Sequence, residues 1–177
     1  MQRFADAKII VNYAILNNKA IGDKQTIFLE VGGGLNLPTG KYNHEIGYAT
    51  LPDNFNIGLG SYGYIMQLNN LWSKDKSGFL LNGNYQLNGK TQEGYHFGNQ
   101  LTGEISWFRE WNVKKQLYLS NLGLVAEHVS VNRYNNGNKV PETGGNGLLV
   151  SAGINIKSKD LISGITYSIP DIQNYSK

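Results

Sequence analysis

His44, His96 and His128 are the histidines of the chain, and there is no cysteine. Cysteine-based zinc sites and disulfide scaffolds are therefore excluded. His44 and Glu45 are adjacent, as a metal-binding pair can be, but no second pair of ligands stands near them in the sequence. His44 and His96 read as surface-loop histidines, and no metal or cofactor is expected. His128 and Ser130 are two residues apart in a strand-like stretch, so they share a face. A base beside a nucleophile on a lipid-facing strand is the minimum for a membrane-embedded hydrolase. No acid that could orient the histidine is evident on that face, so the reading is of a chain without covalent chemistry. The run Gly58-Leu59-Gly60-Ser61-Tyr62-Gly63 matches the G-x-G-x-x-G dinucleotide fingerprint. That fingerprint works only between a strand and a helix whose N-terminus meets the pyrophosphate. Here a long loop precedes it and an alternating segment follows, which points instead to close backbone approach at the start of a strand.

A second group of residues suggests solute handling. Glu30, Glu104 and Glu127 fall on the polar side of three alternating segments, with Lys8 and Lys157 on the polar sides of two others. Asn82, Asn84, Gln86 and Asn88 form a neutral hydrogen-bonding row. Charge is costly on a lipid-facing surface, so these side chains are expected to point into an interior. There they either pair with one another and fill a solvated space, or line a path that filters solutes by charge.

These assignments rest on the elements that carry the residues. Alternation with a period of two dominates the chain. Ile9, Val11, Tyr13 and Ile15 share one face, as do Leu29, Val31 and Leu35, and as do Tyr62, Tyr64, Met66 and Leu68, with Ile65 the misfit on the other side. Phe79, Leu81, Tyr85 and Leu87 alternate with the Asn/Gln row. Leu101, Ile105 and Trp107 follow, then Leu122, Leu124 and Ala126. Leu148, Val150, Ala152, Ile154 and Ile156 come next, and Leu161, Ile165, Tyr167 and Ile169 close the series. This predicts about eight strands. The connections alternate in length. Short polar turns fall near Asp75, Lys114 and Lys159. Long connections span 39–56, 89–99 and 133–146, and the stretch 17–25 is longer than the other short turns. Outer-membrane barrels sort their loops in this way. Trp72, Phe79, Trp107, Trp111 and Tyr118 fall near the short-turn end. Tyr42, Tyr48, Tyr62, Tyr85 and Tyr134 fall towards the long-loop end, as two interfacial belts would.

Composition agrees. The 177 residues include 22 Gly, 11 Tyr and only 4 Pro, and 16% are charged, below the usual quarter of a soluble domain. The net charge of +3 is scattered, so no nucleic-acid partner is expected. No apolar run reaches the ~20 residues of a membrane helix, and a slightly negative mean hydropathy is what alternating lipid-facing and lumen-facing residues produce.

Several stretches resemble a known family. Gly34-Leu35-Asn36-Leu37-Pro38-Thr39-Gly40-Lys41-Tyr42 is similar to its G-x-x-L-P-T-G-K-Y signature. Leu51-Pro52 followed by Ile57-Gly58-Leu59-Gly60-Ser61 resembles a second element. Gly94-Tyr95-His96-Phe97-Gly98, Gly123-Leu124-Val125-Ala126-Glu127 and Thr143-Gly144-Gly145 appear in the same order. The family is the MetA-pathway of phenol degradation group of outer-membrane proteins, also described as transporters. The resemblance covers roughly residues 27–170. It implies an outer-membrane barrel that passes small, often hydrophobic molecules, with membrane lipid and the barrel-assembly machinery as partners. Members usually begin with a signal peptide and end on a strand with a terminal aromatic. Met1-Gln2-Arg3 opens without a basic and apolar leader, and Asn174-Tyr175-Ser176-Lys177 closes without that strand.

The expectation is therefore an all-β, antiparallel up-and-down transmembrane barrel, with residues 1–177 a single domain cut short at both ends. Its first and last strands are expected not to pair. Two other readings stay open. One is a structural or surface-interaction barrel with a blocked lumen, and the other is a soluble lipocalin-like binding barrel, whose interior would be apolar and exterior polar.

Overall fold

The structure is a computed structural model that describes residues 5–40, 58–114, 116–159 and 161–175. Lys41, Tyr42, His44, Glu45, Tyr48, Leu51, Pro52, Ile57, Lys115 and Asp160 lie outside the described residues, and with them most of the first long connection. The chain forms eight strands: β1 (Ala7–Gly22), β2 (Gln25–Leu37), β3 (Gly63–Lys74), β4 (Ser77–Asn88), β5 (Gln100–Val113), β6 (Gln116–Val129), β7 (Gly145–Ser158) and β8 (Leu161–Tyr175). They make one antiparallel sheet in the order β1 to β8, each strand paired with its neighbour in sequence. No ladder joins β8 to β1 among the described residues, so these two strands are the sheet edges.

Local sequence explains the turns. β1 and β2, β3 and β4, β5 and β6, and β7 and β8 are each joined by two residues. Each turn has a residue in the left-handed region, namely Lys24 (φ 53°), Asp75 (φ 52°), Lys114 (φ 55°) and Lys159 (φ 51°). Tight turns of this kind suit the right-handed twist of the flanking strands. The first turn corrects the expectation of a longer connection over 17–25. β1 continues to Gly22 through register shifts near Leu16 and Lys19, with Asn18 at φ 47°. Those bulges break the period of two and hide the strand's second half from a pattern search.

The two ends of the sheet are distinct. Lys24 and Asp75, in separate short turns, form an ion pair at 3.6 Å, and the Asp75 N–H donates to the Lys24 carbonyl at 2.9 Å. At the opposite end the two described long connections, 89–99 and 133–146, meet. The His96 and Arg133 backbones exchange hydrogen bonds at 2.9 Å each. Short and long connections therefore gather at opposite rims, as the alternation of loop lengths predicts.

The sheet curves around its polar face. The Lys8 ammonium on β1 donates to Gln86 Oε1 on β4 at 3.2 Å. Three strand spacings separate them, about 14 Å along a flat sheet, so the two side chains meet only because the sheet bends inward between them. On the convex face Leu81 is 43% and Ile105 49% exposed. Trp107, Leu124 and Val150 are exposed too, while Tyr85 and Ile154 are half-buried. The buried large apolar side chains among the described residues are Ile65, Tyr95 and Phe97. Among the described residues there is no dry core beneath the apolar face. Ile65, out of phase in the sequence, is 3% exposed and lies on the concave side.

The family-like motif residues hold the long-loop rim. Leu37 ends β2, and Pro38 leads to Thr39, whose Oγ1 accepts from the Ala7 N–H at 2.8 Å. Asp6 gathers three donors: the Gly40 N–H at 2.9 Å, the Leu59 N–H at 2.8 Å and the Asn36 amide at 3.2 Å. Gly40 and Gly58 face each other so closely that a Cβ on Gly58 would stand 2.8 Å from the Gly40 backbone and 2.6 Å from the Asp6 carboxylate. Asp6→Ala would leave two backbone N–H groups unmet, and hydrogen bonds to a charged group contribute roughly 1.5–3 kcal/mol each. The expected outcome is a loss of about 2–4 kcal/mol in urea unfolding of the folded protein. Stability within about 0.5 kcal/mol of the parent would show that the clamp contributes nothing.

Candidate functional site

Two surfaces carry polar chemistry. The first is the concave face. Register places Glu30, Asn69, Asn82 and Glu104 in one row across β2 to β5. The Asn69 amide donates to Glu30 Oε1 at 2.9 Å, and the Asn82 amide to Glu104 Oε2 at 3.2 Å. The Ser106 hydroxyl donates to the other Glu104 oxygen at 2.7 Å. Asn84 lies in the next row with Thr102 and Glu127, half-buried like them. Asn84 and Asn121 each keep a buried Oδ1 without a protein partner. Gln86 is buried and donates to Asn88 at 2.7 Å. Lys157 belongs to the same face but is exposed, ten residues along β7 from the level of Glu127. The Glu30 and Glu104 carboxylates are thus met by amides and a hydroxyl. Among the described residues the one ion pair is Lys24–Asp75, at the rim.

Near the short-turn end the concave face changes character. Phe28 pairs with Leu71, Leu71 with Leu80, and Phe108 with Gly78. A Cβ on Gly78 would meet the Phe108 ring at 2.7 Å, so that ring lies against the bare backbone of β4. A hydrogen-bonding belt is therefore followed by an apolar layer.

The second surface is on the convex side, where β5, β6 and β7 approach the long-loop rim. His128 stands directly opposite Asn146 on β7 and Leu101 on β5. Its Nδ1 lies 2.7 Å from Asn146 Oδ1, and its Nε2 3.5 Å from Ser130 Oγ. Spacing along the chain does not point to Asn146, which lies 18 residues from His128, beyond a long loop, and is placed by strand register. A hollow of about 600 Å³ runs from His128 and Asn146 along the apolar surface. Its floor is Gly83, Gly103 and Ala126, and leucines rise around it. On the other side of His128 a hollow of about 400 Å³ is lined by Ser130, Asn99, His96, Arg133 and Lys139.

Other sequence-level candidates are separated. Gly58, Gly60 and Ser61 precede a strand and not a helix, so the dinucleotide fingerprint lacks its helix N-terminus. His96 Nε2 is 2.7 Å from the Asn88 carbonyl, fixing the loop 89–99 to β4. Gly98 donates its N–H to Asn132 Oδ1 at 2.7 Å, Thr143 Oγ1 accepts from the Asn132 N–H at 3.1 Å, and Gly144 (φ 81°) leads into Gly145 at the start of β7. The motif residues Gly98, Thr143, Gly144 and Gly145 thus shape the rim beside His128, while Glu127 faces the opposite side of the sheet. No group of three or more metal-ligating side chains occurs among the described residues. Comparison with known proteins yields no matching family model, curated protein or solved structure.

Proposed function

We propose that this chain forms wall of an outer-membrane β-barrel of a Gram-negative bacterium, with lipid on its convex face and small solutes passing along its concave face. The observation that carries the reading is the opposition of the two faces of the same strands. Large apolar side chains are exposed on one side, and hydrogen-bonded Asn, Gln and Glu line the other. In water the exposed leucines and isoleucines would form an apolar patch far larger than a soluble monomer tolerates. A lipocalin-like interior would have the reverse polarity. Aromatic placement adds support. Trp72 stacks on Phe79 with ring centroids 6.0 Å apart, and Trp107 is next in the same row. Tyr62 is ten residues from Trp72, roughly 33 Å along the strand. A barrel tilt of ~40° projects this to about 25 Å, the height of the apolar band in such barrels. The family resemblance adds small, hydrophobic or aromatic molecules as the solute class.

The blocked-lumen reading has its own support in the Phe28, Leu71, Leu80 and Phe108 layer on the concave face. Planar-bilayer recordings separate the two. For a conducting wall, Glu104→Gln lowers the preference for cations over anions about two-fold or more, because it removes a charge from the lining. For a wall closed by the apolar layer, the parent is silent and Phe108→Ala opens a conductance. Silence of both, with the protein inserted, would sink the solute-passage proposal.

A further inference from the structure

We propose that His128, Ser130 and Asn146 form a lipid-facing serine hydrolase site that cleaves acyl esters of phospholipids. The chemistry of the site stands on its own geometry, while its natural substrate rests on the membrane setting proposed above. Two features of the fold assemble it. The strand period puts His128 and Ser130 on one face, and β6–β7 register puts Asn146 opposite His128. With the Asn146 amide oriented Oδ1 towards His128, the 2.7 Å contact is a hydrogen bond when Nδ1 carries the imidazole proton. The Nε2 lone pair is then free to accept from the Ser130 hydroxyl, 3.5 Å away. That spacing is at the long end of a hydrogen bond, and such contacts tighten when substrate binds. A nucleophile, a base and a group that orients the base are thus in the order that acyl transfer needs. The absence of an acid on this face, which argues against catalysis in the sequence, loses its force once an amide oxygen fills that place.

The surroundings select the substrate. The apolar hollow of about 600 Å³ opens from His128 across the convex face. A Cβ on Gly103 would meet nothing within 4 Å, and one on Gly83 only Leu68 Cβ at 3.9 Å. The hollow is therefore space that small residues leave open, not space the chain's own packing requires. An acyl chain fits such a trough. The second hollow has a mixed lining that includes Arg133 and Lys139, cations suited to a phosphate head group. His128 lines both hollows and Ser130 the second, so the pair stands at their junction, as an ester between tail and head requires.

The reaction closes with water as co-reactant. Ser130 Oγ attacks the ester carbonyl carbon as its proton passes to His128 Nε2. Asn99, which carries amide N–H donors, lines the hollow in which the oxyanion develops. The bond from the carbonyl carbon to the alkoxy oxygen breaks, and His128 protonates the leaving alcohol. Water then attacks the acyl-serine and gives its proton to His128. The acyl–Oγ bond breaks, the fatty acid leaves, and Ser130 recovers its proton.

The test uses the full chain folded in detergent micelles, with its strand content checked by circular dichroism. Three probes are applied: hexadecanesulfonyl fluoride, p-nitrophenyl butyrate and palmitate, and vesicles of phosphatidylglycerol and phosphatidylethanolamine. A single sulfonyl adduct on Ser130 and fatty-acid release from the vesicles are expected. Ser130→Ala abolishes both. His128→Ala lowers kcat by on the order of 10²–10⁴-fold. Asn146→Ala lowers kcat with little change in KM. Asn146→Asp, which keeps an oxygen acceptor for the Nδ1 proton, restores activity. Gly103→Leu shifts preference from palmitate towards butyrate. Arg133→Ala with Lys139→Ala slows phospholipid cleavage more than p-nitrophenyl ester cleavage. A folded parent that neither labels at Ser130 nor cleaves any ester overturns the proposal, as does activity that survives Ser130→Ala. Labelling and ester cleavage by a chain that does not insert into lipid would instead overturn the membrane setting and leave the triad standing.

Discussion

Gly98→Ala is expected to be among the most damaging single substitutions on the convex and rim surfaces. A Cβ at Gly98 would lie 1.7 Å from the Ser130 carbonyl oxygen and 2.6 Å from its carbon. Both are backbone atoms, so no side-chain rotation relieves the overlap. The strand extension 96–99 must move away from 130–133. That movement threatens the Ser130 N–H bond to the Asn99 carbonyl, the paired His96 and Arg133 bonds, and the Gly98 N–H bond to Asn132. Losing two or three of these, partly buried, costs about 3 kcal/mol or more. Urea unfolding of the micelle-folded protein measures it, and trypsin cleavage after Arg133 or Lys139 reports the opened rim. Sulfonyl labelling of Ser130 is expected to fall at least about ten-fold, since small misplacements of a reacting group cost rate steeply. Gly103→Ala is the matched control. Its Cβ meets no atom within 4 Å, and removing a strand glycine is expected to leave stability within about 0.5 kcal/mol or slightly raised. Equal effects at the two glycines would show that the contact between the long loops is not as described.

Ile105→Arg and Asn84→Arg are expected to separate by about 2–4 kcal/mol in lipid. Both residues lie well inside their strands, on opposite faces of the same sheet. A cation on a lipid-facing position near the bilayer midplane costs roughly 2–4 kcal/mol, while lumen substitutions mainly change selectivity. Ile105 is 49% exposed and carries no hydrogen bond to lose on that face. Asn84 is half-buried on the polar face, beside Gln67 and Thr102. Folding titrations into phosphatidylcholine vesicles give the two free energies. In a soluble sandwich the order reverses, because an exposed position accepts arginine and a half-buried one resists it. That reversal would end the membrane reading and leave the sheet topology untouched.

Much of the architecture was legible in the residues. The period of two in 79–88 assigns Leu81 and Asn82 to opposite faces, because successive side chains of a strand must point apart. The short polar turns at Asp75, Lys114 and Lys159 and the long connections between them order the strands up and down. The first turn escaped because bulges in β1 shift the phase after Ala14. Ile65 looked like an error of pattern, yet it is buried on the concave side, where apolar side chains pack without violating any rule of the face.

The sequence by itself determined the strands, their alternation and the polarity of each face, since these depend on neighbours one or two residues apart. It also put His128 and Ser130 on one side of one strand. Tertiary structure alone decided which residues meet between strands. Register brought the Asn69 and Asn82 amides to Glu30 and Glu104, where charge pairing was one expectation. It placed Asn146 against His128 across the loop 130–144, and aligned Gly83, Gly103 and Ala126 into one trough. A shift of one residue in the β6–β7 pairing would turn Asn146 to the other face and leave His128 without an orienting group. Such a pairing is fixed by the sum of many cross-strand contacts, none of which is visible in the spacing of any single strand.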